Sequence, residues 1–239
     1  MFFYLNTGFN YIEMKKFIIH FVFFIVVVGD LFGEFYQIKW LDYSFKPMIM
    51  VWIGSYFLFN ARRLDKKMVQ LAFVAFVFSW FGDILLMFGE KKFIFFLTGL
   101  LSFLIAQIVY IFLFLRTINI SEKKPFLKKK PLWLIVYIVY GLFVYILLFN
   151  NLDTVLKVAV FIYMAALLSM SAMALNRYGT GHPASFNYVF IGSILFIVSD
   201  TLIALNKFLA PIPYEGIFVM TTYICAQYLI MKGLLKQSA

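Results

Sequence analysis

Apolar residues in this chain fall into long continuous runs, which short clusters of charged residues, glycine and proline separate from one another. Runs of about 20 apolar residues are long enough to cross the hydrocarbon core of a membrane as helices. The pattern predicts eight helices, near residues 16–35, 47–60, 68–88, 93–115, 131–149, 154–175, 186–206 and 213–232. The second run, with about 14 residues, is short for a span and could instead be a buried helix. We therefore expect an all-α, polytopic membrane helical bundle of about eight transmembrane helices.

The composition agrees with this fold and leaves no room for a separate soluble domain. Hydrophobic residues make up 64% of the chain and charged residues 13%, whereas a soluble domain has roughly 45–50% apolar residues. We predict one transmembrane domain over residues 16–234, an N-terminal extension at 1–15 and a tail at 235–239. The extension could precede the native start, because Met14-Lys15-Lys16 before an apolar run is typical of one. No small-residue cleavage site follows that run, so we expect an anchor.

The basic residues indicate how the chain is oriented. Its net charge is +10, but lysine and arginine lie between the apolar runs instead of forming a stripe with exposed aromatics, so we expect no nucleic-acid partner. Over alternate connections, fifteen basic residues lie on the side of the N-terminus and six on the other side. Positive residues are retained in the cytoplasm. We therefore expect an integral protein of a bacterial cytoplasmic membrane, surrounded by membrane lipids, with both termini cytoplasmic.

The sequence contains no pattern that predicts a metal site or a cofactor site. Cys225 is the only cysteine and lies within an apolar run, so neither a disulfide framework nor a thiolate zinc site can form within the chain. The two histidines, His20 and His182, do not suggest a histidine-based site either. We expect no metal and no cofactor, and the pattern favours no particular oligomeric state.

Two aspartates lie inside predicted spans, where a carboxylate costs about 2.5–3.5 kcal/mol on insertion scales. Asp83 lies in the third span and Asp200 in the seventh. Both spans run outward in the expected topology, which places the two carboxyls about 7–9 Å inside the outer boundary. Two carboxyls at the same depth could share a pocket, which makes Asp83 and Asp200 candidates for a functional pair; the alternative is that each one only bonds to a neighbouring helix. Asp30, near the outer end of the first span, falls in the same layer and is a third candidate.

Other polar residues in or beside the spans are candidates for binding a substrate. They are Lys46, Tyr110, Tyr163, Tyr223 and Gln227, together with Asp30. Tyr223 and Gln227 are four residues apart and therefore share a helix face. Lys46 precedes Pro47 at the edge of the second span, where it could be a flank anchor or a counter-ion for Asp or phosphate. Hydrogen bonding between helices is the alternative role for the tyrosines and for Gln227.

Paired aspartates inside a membrane are compatible with three kinds of protein. An enzyme could use them as acid and base, a proton-coupled transporter could carry protons on them, and a structural or lipid-binding protein could use them only to bond helices together. The chain shows no convincing inverted repeat and no pair of Gly/Pro-broken helices, which are the usual indications of an alternating-access site. This disfavours transport without excluding it.

Five patches along the spans form an ordered pattern. They are Lys46-Pro47; Ser79-x-x-Gly82-Asp83-x-Leu85-Leu86-Met87; Phe96-x-x-Gly99-Leu100-x-x-Phe103 with Tyr110; Gly192-x-x-x-Phe196-x-x-Ser199-Asp200-x-x-x-Ala204-x-x-x-Phe208; and Tyr223-x-x-Ala226-Gln227-x-x-Ile230. Together they resemble the YhhN-like family of eight-span membrane proteins, which includes the lysoplasmalogenases. The resemblance covers nearly the whole chain from Lys46 onward. One departure is Gln107, which stands where many members carry a histidine and so removes a possible proton carrier.

The resemblance implies hydrolysis of the vinyl ether bond of a lysoplasmalogen, which releases a fatty aldehyde and a glycerophospho-ethanolamine or -choline. Vinyl ethers resist base, but they hydrolyse when an acid protonates the vinyl carbon farther from the oxygen and water captures the oxocarbenium ion. One protonated and one ionised carboxyl could divide this work, as in glycoside hydrolysis. The resemblance thus implies Asp83 and Asp200 as the catalytic pair, in either order. It also implies a lysophospholipid or another single-chain lipid as substrate, entering sideways from the leaflet.

Overall fold

The structure is a computed structural model, and it describes residues 11–89, 91–118 and 124–238. Within these ranges the chain forms helices joined by short turns, and no strand is present. The helices are α1 (Tyr11–Tyr36), α2 (Lys39–Asn60), α3 (Lys66–Leu86), α4 (Phe93–Arg116), α5 (Phe126–Lys129), α6 (Trp133–Phe149), α7 (Thr154–Asn176), α8 (Pro183–Phe208) and α9 (Glu215–Leu235). Short 3-10 helices, Ala61–Arg63 and Lys236–Ser238, follow α2 and α9. All helices except α5 correspond, in order, to the predicted runs.

Six helices within the described ranges are long and apolar enough to cross a membrane, judged by length and composition. They are α1 from Glu13 onward, α3, α4, α7, α8 and α9. The predicted polytopic helical bundle is therefore confirmed, whereas the count of eight spans stays a prediction. Helix α6 is apolar but has only 17 residues. Helix α2 has 22 residues, but Lys39, Asp42 and Lys46 make its first turns polar.

Helix α2 is longer than its hydrophobic run predicts. The run suggested residues 47–60, but the helix begins at Lys39 and continues through Pro47. Proline lacks the amide hydrogen that an interior helical position normally donates, so it is usually found near a helix start. The apolar run does not include the first turns of the helix, because these turns are polar. Their charged side chains line a polar cavity between helices. Helix α1 likewise begins at Tyr11, inside the segment predicted as an extension.

The helices pack mainly as pairs. Helix α8 lies against α9, α3 against α4 and α1 against α2, while α7 joins the bundle by packing on α4. Glycines bring α8 and α9 especially close: a Cβ atom on Gly192 would lie 2.8 Å from the carbonyl oxygen of Ala226, and one on Gly233 would lie 2.9 Å from the carbonyl oxygen of Ser185. Such close approach of two backbones is a common means of helix association in membranes, where lipid chains weaken the hydrophobic driving force.

The interior of the bundle is rich in aromatic side chains, and its exterior is apolar. Tyr110, Phe57, Phe76, Phe114 and Phe196 are the largest fully buried side chains. Large apolar side chains also remain exposed along α1 and α6, as Phe24 (61% exposed) and Ile146 (69% exposed) illustrate. An apolar exterior of this extent is unusual for a soluble monomer and typical of contact with lipid chains.

Replacing either close-packed glycine should force α8 and α9 apart. We expect Gly192→Ala and Gly233→Ala each to destabilise the folded protein by about 1–3 kcal/mol, the usual cost of overpacking. Gly54→Ala is the matched control, because Gly54 is a buried helical glycine with no atom within 4 Å of an added Cβ. Thermal unfolding in detergent measures the three effects. Equal losses at all three positions would contradict the close contact between α8 and α9.

Candidate active site

A polar cavity of about 530 Å³ lies at the end of the bundle where α1 meets α2, α3 meets α4 and α8 meets α9. This size is within the range of about 300–1,000 Å³ that small-molecule sites occupy. The charged residues that line it are Glu34, Lys39, Asp42, Lys46, Asp83, Asp200, Lys207 and Glu215. The two aspartates that the sequence placed in one pocket therefore line the same cavity.

Asp83 lies near the end of α3, where a tyrosine from α9 holds its carboxyl group. Asp83 is only 6% exposed, and the Tyr223 hydroxyl donates a hydrogen bond to its Oδ2 atom over 2.8 Å. Behind this pair, the Gln227 amide donates to the Ser79 hydroxyl over 3.0 Å and accepts a hydrogen bond from the Tyr110 hydroxyl over 2.7 Å. These bonds connect α3, α4 and α9, so they hold Tyr223 toward Asp83.

Asp200 lies within α8 and accepts two hydrogen bonds on one oxygen atom. The Tyr163 hydroxyl of α7 donates to Oδ2 over 2.6 Å, and the Gln107 amide of α4 donates to the same atom over 3.2 Å. Within the described residues, no hydrogen bond reaches the Oδ1 atom. A neutral carboxyl group can accept bonds on one oxygen while the other carries a proton to donate. Oδ1 is therefore the atom of Asp200 that is available to a bound molecule.

Lys46 forms an ion pair with a residue that the sequence analysis did not select. Its Nζ atom lies 2.5 Å from Oε1 of Glu34, near the end of α1, and the two side chains are 15% and 19% exposed. The partner is thus a glutamate, whereas the sequence analysis considered Lys46 as a flank anchor or as a counter-ion for Asp or phosphate. Glu34 was missed because it lies at the boundary of a predicted span, where a carboxylate is ordinary. Asp42, in the polar first turns of α2, lines the same cavity and was missed for the same reason.

Some of the other predicted site residues line the cavity, and the rest are buried away from it. Lys46 and Tyr223 line it together with the two aspartates. Tyr110 and Gln227 are fully buried behind Tyr223 and do not line it. Asp30 is also fully buried, and within the described residues neither of its carboxyl oxygens has a hydrogen-bond partner. Three charged side chains interact electrostatically with Asp30, namely those of Lys46, Glu34 and Asp42.

A narrow apolar crevice of about 60 Å³ adjoins the polar cavity. It lies between α3, α4, α6, α7 and α8, and its lining is apolar apart from Tyr163, Asp200 and Thr201. The residues that line both spaces are Leu86, Phe96, Phe103, Asp200 and Ile203. Asp200 is thus the charged residue at the boundary between the two, whereas Asp83 lines only the polar cavity.

The model of the YhhN family matches residues 41–234, a range that includes both aspartates and both tyrosines that bond to them. The chain belongs to the YhhN family. The family that the five sequence patches predicted is therefore confirmed, over a range that begins just before Lys46.

Relatives of this YhhN-family chain include three mammalian proteins. Lysoplasmalogenase TMEM86A of Bos taurus is 33% identical over 162 residues, which are 66% of this chain and 62% of the relative. Lysoplasmalogenase TMEM86B of Sus scrofa is 34% identical over 150 residues, 62% of this chain and 56% of the relative. Lysoplasmalogenase TMEM86A of Homo sapiens is 32% identical over 161 residues, 66% of this chain and 62% of the relative. The chain thus spans about three-fifths of the length of these curated relatives. No solved structure matches it.

Removing Lys46 should leave the carboxyl of Glu34 without its partly buried cation. We expect Lys46→Met to destabilise the protein, by less than the roughly 3–5 kcal/mol that breaking a fully buried ion pair costs, because this pair is only partly buried. Adding Glu34→Gln to that variant should recover much of the loss, because it removes the charge left unpaired. The control is Lys92→Met, which changes an exposed lysine at the same end of the bundle. Thermal unfolding in detergent gives the double-mutant cycle. A double variant less stable than Lys46→Met would mean that this ion pair does not stabilise the fold.

Proposed function

We propose that this protein is a membrane hydrolase that cleaves the vinyl ether bond of lysoplasmalogens. The products are a fatty aldehyde and a glycerophospho-ethanolamine or -choline. One observation carries the proposal: Asp83 and Asp200 line a single cavity, and a tyrosine hydroxyl bonds to each of them. The relatives TMEM86A and TMEM86B are named lysoplasmalogenases, which supports the same reaction for this chain.

Two carboxyls in different protonation states can carry out each step of this hydrolysis. The protonated carboxyl gives its proton to the vinyl carbon farther from the ether oxygen, the double-bond electrons form the new C–H bond, and an oxocarbenium ion results. Water then adds to the carbon next to the oxygen and loses a proton to the ionised carboxyl. As the hemiacetal collapses, the carboxyl that took the proton of water gives it to the leaving ether oxygen, and the carboxyl that acted first as the acid takes the hydroxyl proton, so that aldehyde and alcohol form. Each turnover consumes one water molecule and restores both carboxyls.

The surroundings of the two aspartates are suited to this chemistry. A carboxylate fixed beside a developing cation stabilises it more strongly in a poorly solvated site than in water. Lys46 and Tyr223 line the cavity and can contact a headgroup. We assign a supporting role to Tyr110 and Gln227, which hold Tyr223 from behind.

We also infer that the cavity opens toward the outer side of a bacterial cytoplasmic membrane, with both termini in the cytoplasm. The connections α1–α2, α3–α4 and α8–α9 lie at the cavity end of the bundle. The connection between α2 and α3 lies at the other end, and it carries Arg62, Arg63, Lys66 and Lys67. Positive residues concentrate on the cytoplasmic side of membrane proteins. A single-chain lipid of the outer leaflet would then reach the cavity sideways.

Aldehyde release from purified protein in detergent tests the proposed reaction. We expect Asp83→Asn and Asp200→Asn each to lower the rate by about 10²–10⁴-fold, the usual contribution of a general acid or base. Asparagine keeps the shape of the side chain and can still accept the tyrosine hydrogen bond, so the fold should persist. Choline and ethanolamine lysoplasmalogens are both supplied, because the assay should also determine which headgroup the protein accepts.

The matched control is Asp153→Asn. Asp153 caps α7 by accepting a hydrogen bond from the Leu156 amide over 2.8 Å and does not line the cavity. Asparagine caps helices about as well as aspartate, so this variant should retain full activity. No aldehyde release by the parent protein on either substrate would reject the hydrolase and favour transport or another lipid. Activity that survives in both aspartate variants would reject the two-carboxylate mechanism.

A further inference from the structure

The polar cavity and the apolar crevice adjoin each other and share five lining residues, of which Asp200 is the charged one. The polar part carries charged residues from α1, α2, α3, α8 and α9. The crevice is lined almost entirely by hydrocarbon side chains from α3, α4, α6, α7 and α8; Val144, Leu148 and Val160 are buried members of this lining that do not line the polar cavity. A site of this form fits a molecule with a polar group at one end and a single apolar chain at the other.

We propose that the crevice binds the hydrocarbon chain of the substrate and thereby places the reacting vinyl carbon beside Asp200. This inference rests on the proposed function, because it takes a lysoplasmalogen as the occupant. In that lipid the vinyl ether joins the polar headgroup to the apolar chain. A molecule with its headgroup among the charged residues and its chain in the crevice therefore has its vinyl ether at the boundary residue, Asp200.

The hydrogen bonds of Asp200 agree with a role as the acid. The vinyl carbon that receives the proton is the one on the chain side of the double bond, so it lies toward the crevice. Tyr163 and Gln107 both bond to Oδ2, which leaves Oδ1 to carry and deliver the proton. Asp83 lines only the polar cavity, where the water that attacks the carbon next to oxygen would lie. The two aspartates are thereby given different tasks: Asp200 protonates and Asp83 accepts the proton of water.

The crevice must widen to hold a chain, because its volume is only about 60 Å³. We place this widening at the seam between α4 and α8, which the hydrogen bond from Gln107 to Asp200 also crosses. Each of these helices packs mainly on another partner, α4 on α3 and α8 on α9. Across the seam they meet through aromatic side chains, with the Phe96 and Phe208 rings 5.8 Å apart. Met164, also in the lining, has an unbranched side chain that adapts readily.

Photolabelling of the whole protein in detergent tests where the chain binds, without requiring turnover. The probes are two lysophospholipids with a saturated ether in place of the vinyl ether, which the proposed reaction cannot cleave. One carries a diazirine near the ether and the other carries it at the end of the chain. We expect the first to label Asp200, Tyr163 or Ile203, and the second to label Val144, Leu148 or Val160. An excess of unlabelled probe should abolish both.

A pair of variants on α7 provides an independent measurement. Val160 lines the crevice and is 9% exposed, whereas Val158 on the same helix is 58% exposed and faces outward. Val160→Phe should raise KM for a long-chain lysoplasmalogen by at least about tenfold, because it fills the space for the chain. The same variant should affect a short-chain substrate much less, and Val158→Phe should affect neither.

The outcomes separate this inference from the proposed function. Labelling of the crevice together with no aldehyde release would support the chain site and reject the hydrolase. Aldehyde release together with chain-end labels confined to the outer surface of α1 or α6 would overturn the chain site and retain the hydrolase. If Val160→Phe does not fold, the labelling of the parent protein still shows whether the hydrocarbon chain binds in the crevice.

Discussion

Two hydrogen bonds, from Tyr223 to Asp83 and from Tyr163 to Asp200, make it possible for two carboxyls to lie inside an apolar bundle. A polar group buried without a partner costs roughly 2–7 kcal/mol, and an unpaired charge costs more. Each bond also joins two helices, α9 to α3 in one case and α7 to α8 in the other. The contacts that satisfy the carboxyls therefore also fix where these helices stand, so the site and the fold share one set of interactions.

The hydrogen bonds to the two aspartates require the helix pairs to stand in fixed positions relative to one another. The glycine contacts between α8 and α9 hold Asp200 of one helix and Tyr223 of the other in the same wall of the cavity. The Gln227 network then ties α9 to α3 and α4, and the ion pair between Lys46 and Glu34 joins α1 to α2. Each pair of helices thus supplies one part of the cavity. No single pair contains a complete site, which is why the polar residues are spread along the whole chain.

The sequence predicts a residue of this kind well when the residue breaks an apolar run. Asp83, Asp200 and Tyr223 were found in this way, and they do line one cavity, although helix α8 continues farther past Asp200 than expected. Glu34 and the first turns of α2 were not found, because charged residues that follow an apolar run mark the end of a span and are expected to be solvent-exposed. The pairing of Lys46 with Glu34 depends on how α1 and α2 rotate against each other. The crevice results from side chains on five helices, and no local pattern encodes it.

A hydrolase that acts on a membrane lipid has to bring water to a bond beside a hydrocarbon chain. A chain held in a wet cavity would lose about 0.8 kcal/mol for each CH₂ group exposed to water. A bond held in a dry crevice would lack the water that the reaction consumes. A boundary between the two environments meets both requirements, provided that the acid is on the chain side and the base on the water side. Asp200 lines both spaces and Asp83 only the polar one, so in the proposed mechanism their different positions would let two identical side chains perform different steps.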